Sequence, residues 1–295
     1  MKTYLDCIPC FFKQALEAAR VAGMDAAKQR KILNDVAEVL PDFSLDASPP
    51  EMGRIIHGIV KKYTCMEDPY LEIKDQCNRF ALGIYEKLIS KLDNSSDRLL
   101  AAVELAIAGN IIDYGVKNTL NVDYELERIL KDRREMIKNG ASRHFQYEDF
   151  KAAVGSAKTI LYLADNAGEV VFDRVLIEEI RRIDPEKEIV YVVKGKPIIN
   201  DALEKDALDC GIDKVSRVIS SGSDAPGTLI PLCSEDFLEI YRQADMVISK
   251  GQGNFEGLSC AKRSIFFLFI AKCHVIAKDV ECDVGDTILL NHRGG

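Results

Sequence analysis

The sequence predicts an α/β protein in which an N-terminal helical domain precedes a doubly wound, mostly parallel sheet with helices on both faces. Two observations lead to this prediction. Up to about residue 155, apolar residues recur at helical spacing without the alternation typical of strands. From Lys158 onward, short apolar runs alternate with helical stretches, which is typical of parallel strands buried on both faces. We therefore assign a helical domain to residues 1–155 and an α/β domain to residues 156–295.

The predicted helices of the first domain carry apolar residues three or four positions apart. They are 11–19, 32–40, a helix that starts at Pro50, one long helix at 70–92, a more buried one at 97–112, and a short charged one at 124–138. Proline suits the first turn of a helix because its missing N–H has no partner there.

In the second domain, five apolar runs predict buried strands, at 159–164, 189–193, 215–219, 246–249 and 265–270. Two shorter runs, 275–276 and 288–290, predict edge strands. Helical spacing predicts the intervening helices at 168–183, 201–210, about 234–244, and 255–262.

Composition narrows the class of protein. The chain has 295 residues and a formal net charge of −8, which argues against nucleic acid as the main partner because phosphate backbones require clustered cations. The start of the chain lacks the apolar core of a signal peptide. The longest apolar run, 265–271, is too short to span a bilayer. Nine scattered cysteines fit a reducing compartment. We expect a cytoplasmic protein with no membrane partner; the oligomeric state stays open.

Polar residues follow every predicted parallel strand. The carboxyl ends of parallel strands meet at one edge of a sheet, where ligands of α/β proteins bind. Carboxylates and amides suit a hard divalent cation, whereas lysines and Gly-rich turns suit phosphate. In strand order, the residues are Asp165 and Asn166; Lys194, Asn200 and Asp201; Ser221; Lys250, Gly251, Gly253 and Asn254; and Lys272.

Each of these motifs also has a purely structural interpretation. Asp165 or Asn166 could cap the helix that follows, and so could Asp201. The glycines Gly251 and Gly253 match a dinucleotide fingerprint only loosely. The repetition of polar residues at successive strand ends favours a functional site.

Four segments, 108–113, 165–169, 199–202 and 250–256, resemble the signature blocks of the damage-control phosphatase family, also called domain of unknown function 89. They occur in the expected order over most of the chain. The Cys7-x-x-Cys10 start resembles the small, mainly archaeal and bacterial branch. The resemblance implies a metal-dependent phosphatase that clears unwanted or damaged phosphorylated metabolites.

The resemblance also implies residue roles. Asp165, Asn166 and Asp201 match the positions that hold a divalent metal (Mn, Mg, Co or Ni). Asp165, Asp201 and Lys250 would carry the catalysis, with Lys250 at the phosphate. The candidate substrate-binding residues lie in the matching blocks or at the same predicted edge and are Asn110, Asp113, Lys194, Ser221, Gly251, Gly253 and Asn254.

Two alternative functions stay open. One is an S-adenosylmethionine-dependent carboxyl methyltransferase, although Asp165 and Lys194 stand where that cofactor wants a Gly-rich turn and an acid. The other is a non-catalytic phospholigand-binding protein. The Cys7/Cys10 pair is either half of a metal site, a redox motif or two packed thiols, and Cys65 and Cys77 match no standard zinc spacing.

Overall fold

The computed structural model describes residues 1–64, 66–111 and 144–294. The predicted helix at 124–138 lies outside the described residues, as do Cys65 and Asp113.

The first three helices form a unit with its own apolar core. They are α1 (Cys7–Val21), α2 (Ala26–Val39) and α3 (Pro49–Thr64). Residues such as Phe11 and Ile32 face this core at helical spacing. Helix α3 also contacts the loop around residue 197, where Lys61 Nζ donates to the carbonyl of Pro197 at 2.6 Å.

The predicted long helix at 70–92 is wrong in one respect, because two helices occupy this segment. They are α4 (Leu71–Gly83) and α5 (Tyr85–Asp93). The break lies at Ile84, with φ −107° and ψ 1°, directly after Gly83, which lowers the helical preference of this turn. Next comes α6 (Arg98–Ala108), whose turn of 3₁₀ helix (Gly109–Ile111) carries Asn110.

A six-stranded sheet follows. Its strands are β1 (Thr159–Leu163), β2 (Glu188–Val193), β3 (Arg217–Ser220), β4 (Met246–Lys250), β5 (Ile265–Ile270) and β6 (Thr287–His292). Their order is β3-β2-β1-β4-β5-β6, and only the edge pair β5–β6 is antiparallel. The doubly wound, mostly parallel sheet is thus confirmed, as is the edge strand predicted at 288–290.

Helices cover both faces of the sheet. They are α7 (Tyr147–Ser156), α8 (Glu169–Ile183), α9 (Glu204–Asp209), α10 (Glu235–Gln243), α11 (Gln252–Leu258) and α12 (His274–Val280). The edge strand predicted at 275–276 is wrong, because these residues lie in α12. Ile276, Ala277 and Val280 are buried there at helical spacing, which a two-residue apolar run could not reveal.

Each face of the sheet has its own core. On one face, residues such as Tyr162 and Ile248 pack together with α8 and with buried residues of α4, α5 and α6. On the other face, residues such as Leu163 and Val247 pack with α10 and α12. Because α4–α6 share a core with the sheet, the division at residue 155 stays a prediction. In the described part of the chain, no helix is both long and apolar enough to cross a membrane.

Candidate active site

The site lies where the winding of the sheet reverses. Strand β1 pairs with β2 on one side and with β4 on the other. The chain therefore leaves the carboxyl ends of β1 and β4 in opposite directions, which opens a crevice between them. Asp165 follows β1, and Gly251 follows β4. The strand order thus brings together two of the predicted segments.

Asp165 and Gly251 lie in unusually close contact. A Cβ atom on residue 251 would lie 2.0 Å from Asp165 Oδ2. Gly251 also has a φ of +81°, which other residues rarely adopt. Its N–H donates to the carbonyl of Leu268 at 3.0 Å. Glycine is therefore required at this position in order to admit the Asp165 carboxylate, and its N–H is already paired.

Neither the turn with Asp165 and Asn166 nor the turn with Asp201 caps the helix that follows it. Helix α8 has Gly168 at its N-cap position, with φ +82° and no side-chain cap. Helix α9 has Leu203 at that position, and the side chain of Asp206 accepts a hydrogen bond from the N–H of Leu203 at 2.8 Å. The side chains of Asp165, Asn166 and Asp201 are therefore left for another role.

Backbone hydrogen bonds hold these two segments side by side. The N–H of Ala202 donates to the carbonyl of Asp165 at 2.8 Å, and the N–H of Ala167 donates to the carbonyl of Asn200 at 2.9 Å. Ile199, two residues before Asp201, has a φ of +47°, which is strained for a β-branched residue. The structure therefore brings Asp165, Asn166 and Asp201 together, with local strain in the turn.

The two carboxylates occupy an unfavourable electrostatic environment. Burial, followed by the negative charges of Glu169 and Asp201, raises the pKa of Asp165 well above its ordinary value, while Lys272 and Lys194 oppose the rise. Burial raises the pKa of Asp201 to about 6, against the effect of nearby Lys194. A bound cation would favour the ionised form of both groups.

One oxygen of Asp201, Oδ2, is held by an ion pair alone within the segments that the structure describes. Among the described residues, none forms a hydrogen bond with its buried Oδ2, and its ion-pair partner Lys194 Nζ lies 3.4 Å away. The ammonium of Lys194 also donates to the carbonyl of Gly227. A buried carboxylate oxygen of this kind is unusual in a folded protein and suits a cation.

The charges of the described residues around the crevice do not balance. Four buried carboxylates belong to Asp165, Glu169, Asp173 and Asp201, whereas two buried lysines, Lys194 and Lys250, accompany them. Lys272, exposed at the rim, also acts on Asp165, so this excess of buried carboxylates favours a bound cation without setting its charge. No three His, Cys, Asp or Glu side chains of the described segments are arranged to hold a metal, so a site here depends on the amide oxygen of Asn166.

Two predicted residues are placed beneath the crevice rather than in it. Lys250 is 1% exposed, and its Nζ lies 3.1 Å from Glu169 Oε2 and 2.6 Å from Asp173 Oδ1. Asn254 is completely buried, and its amide donates to the carbonyls of Ala164 and Lys250. Asn254 therefore ties the carboxyl ends of β1 and β4 together. A direct contact of either residue with substrate stays a prediction.

The other predicted residues reach the site to different degrees. Asn110 Nδ2 donates to Glu169 Oε1 at 2.7 Å, so the helical half contributes directly. Ser221 is buried after the edge strand β3, where its hydroxyl accepts from the N–H of Ser223. Gly253 passes so close to Gly227 that a Cβ on residue 227 would lie 2.2 Å from the Gly253 carbonyl oxygen.

Sequence reasoning missed four buried polar residues beneath the site. Glu169 and Asp173 lie one turn apart on α8, and the hydroxyls of Tyr162 and Tyr191 each donate to Asp173 at 2.8 Å. A signal was present, since two acids four residues apart fall on the apolar face of a buried helix. Such acids need buried partners.

The cysteine pair lies at the start of α1, near Cys273 and Glu256. Burial comes first among the causes that raise the pKa of both Cys7 and Cys10, and the charges of Glu256 and Cys273 add to it. Raised pKa values favour the protonated thiol, which is neither a good nucleophile nor a metal ligand. Cys7 is half-buried and Cys10 is exposed, and the role of the pair stays a prediction.

The chain matches the family described as damage-control phosphatase ARMT1-like domain over residues 3–288. It is 38% identical over 293 residues to an uncharacterized protein of Methanocaldococcus jannaschii, covering 97% of this chain and 94% of that one. It is 33% identical to a damage-control phosphatase of Pyrococcus horikoshii, covering 99% of each. A crystal structure of a P. horikoshii protein of the domain of unknown function 89 family superimposes with a TM-score of 0.87 at 32% identity, covering 99% of this chain and 100% of that one. This chain therefore belongs to the damage-control phosphatase family with an ARMT1-like domain.

Proposed function

We propose that this phosphatase depends on a divalent metal and hydrolyses small phosphorylated metabolites. The observation that carries the proposal is the buried group of Asp165, Asn166 and Asp201, in which Asp201 Oδ2 has no hydrogen bond from any described residue. The two carboxylates and the amide offer oxygen ligands. Oxygen ligands suit Mn, Mg, Co or Ni, whereas soft metals prefer sulfur ligands. When bound there, the cation supplies charge neutralisation and polarises a phosphate oxygen.

The protein side chains would position the phosphoryl group and offset its charge. Phosphoryl transfer requires mainly in-line positioning and charge neutralisation. Lys194 and Lys272 both lie near enough to lower the pKa of Asp165, and Lys272 is exposed at the end of β5. These two ammonium groups are therefore candidates for contact with a phosphate in the crevice.

Two routes are open to the carboxylates. In the first, an oxygen of Asp165 or Asp201 attacks phosphorus and the P–O ester bond breaks, so that the alcohol leaves with a proton from solvent; water then hydrolyses the aspartyl phosphate to phosphate and the free carboxylate. In the second, the same carboxylate accepts a proton from a water molecule that attacks phosphorus directly, and the P–O ester bond breaks to release the alcohol, which takes up that proton. A phospho-aspartate trapped by rapid acid quench would establish the first route.

The family name supports small phosphorylated metabolites as the substrate class. Relatives are named damage-control phosphatases. The predicted residues that could orient the rest of a substrate are Asn110, Asp113, Lys194, Ser221 and Gly253. Gly251 and Asn254 support the site instead, because the N–H of Gly251 and the amide of Asn254 already donate within the protein. Which phosphorylated metabolites fit is a question for a substrate screen.

The test is phosphate release from p-nitrophenyl phosphate by the purified protein after treatment with EDTA, with and without added Mn²⁺. We expect release only with the cation. The Asp201→Ala variant should lose this activity, whereas Asp236→Ala, at an exposed position of α10, should retain it. Equal release in EDTA and Mn²⁺ would refute metal dependence. No release, together with tight binding of phosphorylated ligands, would favour a binding protein instead.

A further inference from the structure

The ammonium of Lys250 connects two buried carboxylates on one helix. Glu169 and Asp173 lie four residues apart on α8, so both face the sheet at the end of β4. Lys250 Nζ donates to Glu169 Oε2 at 3.1 Å and to Asp173 Oδ1 at 2.6 Å. All three side chains are 2% exposed or less. The lysine therefore holds both acids in fixed positions.

Two tyrosine hydroxyls hold Asp173 in place in addition to Lys250. The hydroxyl of Tyr162 donates to its Oδ1, and the hydroxyl of Tyr191 donates to its Oδ2, each at 2.8 Å. The two tyrosines are paired across β1 and β2, and their rings stack at a centroid distance of 5.4 Å. Three donors satisfy a carboxylate that is completely buried, so Asp173 is held in place and in turn holds Lys250.

Through hydrogen bonds, Glu169 connects the Lys250 ion pair to the candidate metal ligands. Its Oε1 accepts from Asn166 Nδ2 at 2.9 Å and from Asn110 Nδ2 at 2.7 Å. Asn166 Nδ2 also donates to Asp165 Oδ2 at 2.9 Å. Both hydrogens of the Asn166 amide are thus committed to carboxylates, which only the nitrogen can satisfy. Oδ1 is the atom left to offer to a cation.

We propose that Lys250 is a positioning residue: through Glu169, it fixes the amide of Asn166 so that Oδ1 is presented to the divalent cation. This inference rests on the proposed metal dependence. It differs from the role expected from the sequence, in which Lys250 contacts the phosphate.

Charge explains why Lys250 is suited to positioning. If its ammonium turned toward a phosphate, Glu169 and Asp173 would lose their counterion while buried, which is strongly unfavourable. Although burial lowers it, the negative charges of Asp173 and Glu169 raise the pKa of Lys250 above its ordinary value. The ammonium is therefore kept charged and kept in place by these two partners.

The test is Mn²⁺ affinity without phosphate, measured by electron paramagnetic resonance of the free ion. The main variant combines Lys250→Met with Asp173→Asn, which leaves the net charge near the cation unchanged. We expect about tenfold weaker Mn²⁺ binding, which is typical when the support of a metal ligand is lost. The control is Lys187→Met. Lys187 is also buried, but it donates to the carbonyl of Ala157 at the opposite edge of the sheet. The Lys187→Met variant should bind Mn²⁺ like the wild type.

A second variant protects the test against a failure to fold. Tyr162→Phe combined with Tyr191→Phe keeps every charge and removes two of the three donors to Asp173. If the first variant shows no cooperative melting, this one should still weaken Mn²⁺ binding. In either folded variant, saturating Mn²⁺ should restore most of kcat without a large rise in KM.

The outcomes separate the two roles of Lys250. Unchanged Mn²⁺ affinity together with weaker inhibition by inorganic phosphate would overturn the positioning role and establish direct phosphate contact. Unchanged values for both would overturn it as well. If the wild-type protein itself binds no Mn²⁺, the proposed function fails, and this inference fails with it; that result is visible before any variant is made.

Discussion

The carboxylate of Asp165 occupies the space in which a side chain on residue 251 would lie, since a Cβ there would be 2.0 Å from Asp165 Oδ2. The two residues are far apart in sequence and follow neighbouring strands of the sheet. The glycine after β4 therefore gives the acid after β1 its position. In sequence, the glycines after β4 resemble a phosphate-binding turn. In the structure, Gly251 is needed because a side chain there would collide with the Asp165 carboxylate.

Gly251→Ala should disable the site. The φ of +81° costs about 1–3 kcal/mol for a residue with a side chain. The added methyl group must also displace the Asp165 carboxylate, and a shift of this size in a catalytic group costs about 100-fold in turnover. Turnover with saturating Mn²⁺ and the urea midpoint measure the two effects.

The matched control is Gly155→Ala in α7, where a Cβ would meet nothing within 4 Å. This variant should keep full activity and gain up to about 1 kcal/mol, because alanine favours a helix over glycine. Wild-type activity of Gly251→Ala would show that Asp165 does not depend on this space.

Asp201→Asn should stabilise the metal-free protein while abolishing its stabilisation by Mn²⁺. Burial raises the pKa of Asp201 to about 6, so the folded carboxyl holds its proton more tightly than the unfolded one. The ionised form therefore costs stability above pH 6, and this cost disappears as the pH falls below about 4. At pH 7, the shift corresponds to about 3 kcal/mol as an upper value.

Urea unfolding in EDTA at pH 7 and pH 4.5 measures this effect. The gain of the Asp201→Asn variant over the wild type should shrink at the lower pH, whereas the exposed Asp236→Asn control should show no gain at either. A variant less stable than the wild type in EDTA at pH 7 would contradict the electrostatic account of the crevice.

Asn78 is expected to link α4 to the turn that carries Asp165 and Asn166. Its Oδ1 accepts from the N–H of Gly168 at 2.7 Å, and its Nδ2 donates to Asp206 Oδ1 at 2.7 Å. Asn78→Ala leaves the buried N–H of Gly168 and Oδ1 of Asp206 without this partner, although Oδ2 of Asp206 keeps the N–H of Leu203, so we expect a loss of about 2–3 kcal/mol by urea unfolding. Asn78→Asp should be worse, because it places two carboxylates together. A loss below 0.5 kcal/mol (about the scatter expected for surface changes) would remove Asn78 from this role.

His57 should make the stability depend on pH in acid. Burial, with a smaller effect of nearby Lys61, lowers the pKa of His57 to about 4, and its Nε2 has no hydrogen-bond partner among the described residues. The unfolded chain then binds more protons than the folded one between pH 6.5 and 4. Its contribution to stability is complete above pH 6.5 and is lost as the pH falls through this range, by about 2 kcal/mol between pH 7 and pH 5.

The measurement is the difference in unfolding free energy between the wild type and the His57→Phe variant at both pH values. Subtraction removes the contributions of other groups that the two proteins share. A difference that does not change with pH would mean that His57 has the same pKa in the folded and the unfolded protein.

The sequence by itself determined the elements and their class. Apolar runs such as 159–164 and 265–270 become strands because a parallel sheet buries both faces, and this composition is visible locally. It also determined the family, which the comparisons confirm, and the positions of polar residues such as Asp165 and Asp201 after strands. Short or interrupted patterns were less informative: Gly83 divides a helix predicted as continuous, and residues 275–276 join a helix.

Only the tertiary structure decided which of these polar residues meet and what each one faces. Lys250 reaches Glu169 and Asp173 across 81 and 77 residues of sequence, and no spacing rule relates such distant positions. The strand order puts β1 beside β4, and the pleat turns Lys250 toward α8 and away from the crevice. A side chain's role depends on its partners in space, because a buried charge is held where its counterions are.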